Sequence, residues 1–133
     1  MLRKIFALLA IWCFVGQAMA ASLPKGLVGV WATDASVFND QLLLQGEALY
    51  LGPDGAGAIV GGRPAVAVKV IASYEPATGT IAFDILKHEK VVGHGAAVYD
   101  ASNLSVSFGD PTHPLFHRRF DEVLPQTLKA LGL

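Results

Sequence analysis

The sequence predicts an all-β fold: an eight-stranded antiparallel up-and-down barrel followed by a short C-terminal helix. From Leu27 onward, turn signals recur about every 8 to 12 residues, the spacing of a meandering sheet. Between them lie short runs rich in Val, Ile, Phe and Tyr in which one parity is apolar and the other polar, the period of a half-buried strand. The single cysteine among 133 residues, Cys13, falls in an N-terminal leader. The folded part therefore has no disulfide framework and relies on its core.

Residues 1–20 read as a signal peptide. Arg3 and Lys4 form a positive start, Ile5 to Val15 an apolar stretch, and Ala18-Met19-Ala20 a small-x-small cleavage site. The apolar stretch is shorter than the roughly 20 residues that span a bilayer, and Gln17 interrupts it, so no stable membrane insertion is expected after processing. Bulky Ile11 and Trp12 before Cys13 speak against lipidation. Cleavage leaves 113 of the 133 residues, a single β-barrel domain over 21–133, exported to the periplasm or the extracellular space. Eight of the ten basic residues then face eleven acidic ones, a net charge near −3. That balance offers no basic patch for nucleic acid. At this length one domain buries about two-thirds of its unfolded surface.

The elements follow in order. A first strand covers 27–33. The stretch from Asp34 to Leu42 reads as a short helical turn capped by Asp34 or Ser36. Strands at 47–52 and 56–61 flank Pro53-Asp54-Gly55, and Gly61-Gly62-Arg63-Pro64 leads into a strand at 65–75. There Val66, Val68, Val70, Ala72 and Tyr74 share one parity, opposite Lys69, Ser73 and Glu75. Past Pro76-Ala77-Thr78-Gly79, the strand at 80–87 sets Ile81, Phe83 and Ile85 against Asp84 and Lys87, with Leu86 breaking the alternation. His88-Glu89-Lys90 turns into a strand at 91–99. Asp100 to Asn103 leads to one at 103–108, in which Leu104, Val106 and Phe108 alternate with Ser105 and Ser107. After Gly109-Asp110-Pro111 the last strand covers 115–121. In each turn Gly supplies positive φ, Pro fixes φ, or Asp and Asn bond their own backbone. Finally, 122–131 places Leu124, Leu128 and Leu131 at helical spacing with Pro125 in the first turn, a helix of two to three turns. A meander of eight strands has two open edges unless it closes. Once closed, its interior fills with side chains or holds one small ligand.

Gly29-Val30-Trp31 in the first strand, with "LFHRRF" (Leu115 to Phe120) in the last, resembles the lipocalin-like (calycin) barrels. The resemblance implies that Trp31 lies across the closed end of the barrel and that an arginine of the last strand, Arg118 or Arg119, packs over its ring. A guanidinium so placed contributes roughly 0.5 to 2 kcal/mol. Gly29 would let the two approach closely.

Chemistry-bearing patterns are sparse. His88 and His94 flank a hairpin tip, and His113-x-x-x-His117 has a spacing known from metal sites on helices. Pro111 and Pro114 oppose a helix there, and in a strand the two would stand about 13 Å apart at roughly 3.3 Å per residue. No metal and no cofactor are expected. There is no Gly-x-Ser-x-Gly elbow, and Ser73, Ser102, Ser105 and Ser107 have no His-Asp pattern beside them. "GPDGAGAIVGG", Gly52 to Gly62, lacks the Lys-Ser/Thr ending of a phosphate cradle. No residue is assigned a catalytic role.

What remains is an apolar surplus. Val66, Val68, Val70, Tyr74, Phe83, Ile85, Tyr99, Val106, Phe108, Phe116 and Phe120 are enough to line a barrel. The expected function is an exported, lipocalin-like protein binding a small hydrophobic or amphipathic ligand in a short barrel. The alternative is a packed barrel acting as an interaction or inhibitor module on an envelope protein, through loops such as 88–90 or 109–114.

Overall fold

A computed structural model describes residues 22–133; the reading of the leader falls outside the described residues. The elements are β1 (Gly29–Ala32), β2 (Val37–Asn39), β3 (Leu42–Gln45), β4 (Glu47–Leu51), β5 (Ala56–Gly61), β6 (Val66–Glu75), β7 (Thr80–Lys87), β8 (Lys90–Asp100), β9 (Ser105–Ser107), β10 (Phe116–Phe120) and α1 (Pro125–Ala130). Eight strands form a closed barrel in the order β1, β10, β9, β8, β7, β6, β5, β4, and β4 pairs back onto β1. Each of the eight expected strands has its counterpart in this ring. The pairings are antiparallel throughout.

Up-and-down connection sorts the turns to two ends. Turns at 52–55, 76–79 and 101–104 lie at one end, and those at 62–65 and 88–89 with the loop 108–115 at the other. In the two-residue turn between β7 and β8, His88 and Glu89 both take positive φ, 52° and 63°. That conformation matches the twist of the strands it joins.

The register carries one inward-facing set around the ring. Trp31, Leu49, Ile59 and Val68 are successive cross-strand partners. So are Val70, Ile85 and Gly93, then Ala72, Phe83 and Gly95, then Tyr74, Ile81 and Ala97. Trp31, Leu49, Leu51, Val70, Ile81, Phe83, Val106 and Phe116 form the buried interior, each large side chain contributing about 1.5–3 kcal/mol by leaving water.

A second core lies outside the barrel. Val30, Ala32, Ala48, Tyr50, Ala58 and Val60, on the outer faces of β1, β4 and β5, are buried beneath Phe38 and Leu43 and beneath Phe120, Val123, Leu131 and Leu133 of the C-terminal segment. Buried on both faces, β1 (GVWA) and β4 (EALYL) read as nearly unbroken apolar runs.

Three expectations are corrected. The stretch expected as a helical turn is the β2–β3 hairpin, a separate two-stranded ribbon. Asp40 adopts φ 53° in its turn, and the Tyr50 hydroxyl ties it down, donating to Gln41 O at 2.6 Å and accepting from Leu43 N at 3.1 Å. The helix is shorter than expected, six residues. Leu124 is extended at φ −69°, ψ 149°, as the residue before a proline prefers. Phe120, expected inside, faces out and meets Phe38 edge-on at 5.8 Å. The cause is a register shift: Val30 pairs with Phe120 but Trp31 with Arg118. Arg119 is thus an extra residue in β10, a bulge that turns Phe120 to the opposite face.

Candidate functional site

The closed end is built around Trp31. Its ring is fully buried, and Nε1–H donates to Leu27 O at 2.9 Å. The chain from Leu23 to Val28 crosses this end, held by Leu23 N to Pro53 O at 2.9 Å and Leu27 N to Pro24 O at 3.0 Å; Leu23 and Leu27 join the core. Tyr99 meets the indole edge-on at 5.7 Å. Arg118 Cζ lies 5.9 Å from the ring centre, and its guanidinium donates to the carbonyls of Lys25, Val28 and Asp121. Gly29 has φ 137°, and an added Cβ would collide with Phe120 O. Arg119 points the other way. Its Cζ lies 5.4 Å from the Phe38 ring, and Nη2 donates to Thr33 O, Asp34 O and Ser36 O at 3.0–3.1 Å.

The open end differs. The lower interior is filled, but the inward parity runs on past it to Ile59, Val66, Val68, Ile85 and Phe108, which are only partly covered; Val66 is 59 % exposed and Val68 38 %. A cavity of about 250 Å³ opens here, lined by Ile59, Phe108 and Phe116 below and Glu47, Asp110 and His113 at the rim. Its aromatic wall is continuous. Phe83 stacks on Phe108 at 5.9 Å, Phe108 meets Phe116 edge-on at 5.0 Å, and His113 stacks on Phe116 at 6.1 Å. His113 Nε2 is 2.8 Å from Glu47 Oε2. Asp110 Oδ1 accepts from Thr112 N at 2.9 Å and Thr112 Oγ1 at 2.8 Å, and these bonds hold its carboxyl below the usual carboxylate range. On β8, Gly93 and Gly95 are the cross-strand partners of Ile85 and Phe83. A methyl at either would meet only Ile85 Cδ1 at 3.8–4.0 Å or, at Gly95, Phe83 Cδ2 at 4.0 Å, so the space beside them is unfilled.

A wider depression of about 540 Å³ lies outside the closed end, lined by Leu23, Lys25, Val28, Pro53, Arg118, Asp121, Glu122 and Val123. It has charges of both signs, and Arg118 Nε and Nη2 in it bond to carbonyls.

Of the residues expected to line a ligand space, Phe108 and Phe116 line the cavity and Val68, paired with Ile59, stands beside it. Ile85 and Val66 belong to the open end. Val70, Tyr74, Phe83, Tyr99 and Val106 belong to the packed interior and its fringe. The histidines disperse: His94 Nδ1 faces Asp84 at 3.0 Å and His117 Nδ1 faces Asp34 at 3.2 Å. Among the described residues no group of three or more His, Cys, Asp or Glu could hold a metal ion. Sequence reasoning did not place Glu47, Ile59, Asp110 or His113 at a ligand space, though it named His113 for its spacing to His117 and the 109–114 loop as a partner contact. Ile59 could have been found from its parity with the small residues of β5, and Glu47 from its parity with Leu49 and Leu51. The Glu47–His113 pair spans 66 residues and has no local signal.

Fold and site together define a closed, cysteine-free meander barrel with one end packed and the other open. No protein-family model, curated protein or solved structure matches the chain.

Proposed function

We infer that the protein is an exported, lipocalin-like binding protein that holds a small hydrophobic or amphipathic molecule at the open end of its barrel. One observation carries the reading: inward-facing apolar side chains at that end are left uncovered around a cavity of about 250 Å³, whereas the rest of the interior is packed. The Trp31–Arg118 arrangement at the opposite end supports the calycin resemblance. Drug-sized ligands fill cavities of about 300–1,000 Å³, so the occupant is smaller than a retinoid or a haem. Trp31 lies at the other end, so its fluorescence is not the reporter of choice.

The test is thermal shift and calorimetry on residues 21–133 with small apolar and amphipathic molecules and an environment-sensitive apolar dye. A ligand at a hundred times its Kd stabilises the fold by about 2.7 kcal/mol, a rise of several degrees in Tm. Ile59→Phe, which extends a lining side chain into the cavity, should weaken binding while leaving Tm close to that of the unsubstituted protein. No shift with any compound and no dye uptake would count against the reading. It would favour an envelope-protein interaction module instead, a reading that the exposed Ile71, Val92 and Val98 on the barrel flank support.

A further inference from the structure

Resting on the open end being a binding site, we propose that its ligand is a small amine: an ammonium head on a short aromatic or branched apolar body. The argument is the balance of donors and acceptors around the cavity. Its floor is Ile59, Phe108 and Phe116, and every polar side chain on its rim, Glu47, Asp110 and His113, can accept a hydrogen bond. In the neutral imidazole, Nε2–H donates to Glu47 Oε2, and Nδ1 is then an acceptor. Glu47 uses Oε2 in that bond, and Asp110 uses Oδ1 on Thr112. Each carboxylate thus has a second oxygen with no hydrogen-bond partner among the described residues. Apart from the His113 ring, which already meets Glu47, no rim side chain has an N–H or O–H to offer.

A carboxylate-headed ligand would bring a third carboxylate to this rim, where the one possible side-chain donor, the His113 ring, already meets Glu47. An alcohol would find acceptors but no charge. An ammonium finds acceptors, charge-assisted bonds and aromatic faces together. The faces are those of Phe108, Phe116 and the His113 ring stacked on it. The nearest cation along the chain, Arg118, is engaged at the closed end, and Arg63 lines a separate depression with Gln45, Gly46 and Glu47. The volume of about 250 Å³ holds a single-ring amine and excludes long-chain ones.

Three probes of nearly equal shape test this by calorimetry at neutral pH and low salt: 2-phenylethylamine, 2-phenylethanol and 3-phenylpropionate. The amine should bind at least tenfold tighter than the alcohol, about 1.4 kcal/mol, with the acid weakest. Glu47→Gln keeps the shape and removes the charge. It should bring the amine to within about threefold of the alcohol; Asp110→Asn is the second variant should Glu47→Gln unfold. The amine proposal is overturned if the alcohol or acid binds as tightly as the amine, if both variants keep the preference, or if none of the probes binds while the apolar dye does. In all three cases the cavity still binds apolar molecules and the broader reading stands. If neither probes nor dye bind, both readings fall together.

Discussion

Arg118 and Arg119 are neighbours in sequence and serve opposite faces of the sheet. Arg118 covers the indole and satisfies carbonyls of the segment that closes the barrel end. Removing it exposes the ring edge and leaves part-buried carbonyls unpaired, so Arg118→Ala should lower stability by about 2 kcal/mol in denaturant unfolding. Arg119 is exposed and holds the β1–β2 turn from outside; Arg119→Ala should cost about 0.5–1 kcal/mol, because water replaces most of those bonds. Equal effects would contradict the assignment. Tyr50 makes a separate prediction. Burial pushes its hydroxyl above the ordinary value of 10.0, so the folded state keeps the proton after the unfolded chain begins to lose it. The stabilisation is fully present below pH 10 and is lost as pH rises through the higher folded value. Tyr50→Phe should weaken this alkaline dependence in melts taken across that range, and should destabilise by about 1–3 kcal/mol at neutral pH by stranding Gln41 O and Leu43 N. Trp31 was legible as a residue because an indole between glycine and small apolar neighbours in a first strand has few other places to go. The choice between the two arginines was not, since it depends on a bulge that no periodicity announces.

At the scale of elements, the least predictable contact is the one between the β2–β3 hairpin and the C-terminal segment. Gln41 is buried, and its amide bridges them: Nε2 donates to Glu122 O at 2.9 Å, and Oε1 accepts from Leu124 N at 2.9 Å and Thr127 Oγ1 at 3.0 Å. Helix α1 has no capping side chain of its own at Leu124, so a residue more than eighty positions away satisfies its start. Gln41→Leu should therefore raise amide exchange at Leu124 and Thr127 well before that of the barrel strands, while the barrel itself stays intact. Uniform exchange throughout the chain would contradict that coupling. The strands were legible because β6 and most of β7 set one apolar parity toward the interior against a polar one, despite the break at Leu86. The hairpin was not. Val37 and Phe38 are apolar because they sit on or beside the outer core, and a run that short does not separate a helical turn from a strand.

At the scale of the whole molecule, the ring is closed by a seam between β1 and β10, backed on its outer side by Phe38 and Phe120. Deleting the chain from Phe116 onward should leave β1 and β9 as free edges and give a protein that self-associates in sedimentation rather than a smaller monomer. The closed eight-strand topology was legible because strand count, short turns and the need to hide edges together leave few alternatives. The open cavity was not, since whether an apolar lining packs shut depends on how Gly93, Gly95 and Ile59 stack against partners from other strands. The seam also bears on how the chain acquires its shape. Val30 and Phe120 are ninety positions apart, and a ring that must join such distant stretches nucleates slowly compared with helical bundles. Closure of the ring, and with it the packing of Trp31 under Arg118, therefore waits on the last strand to reach the first.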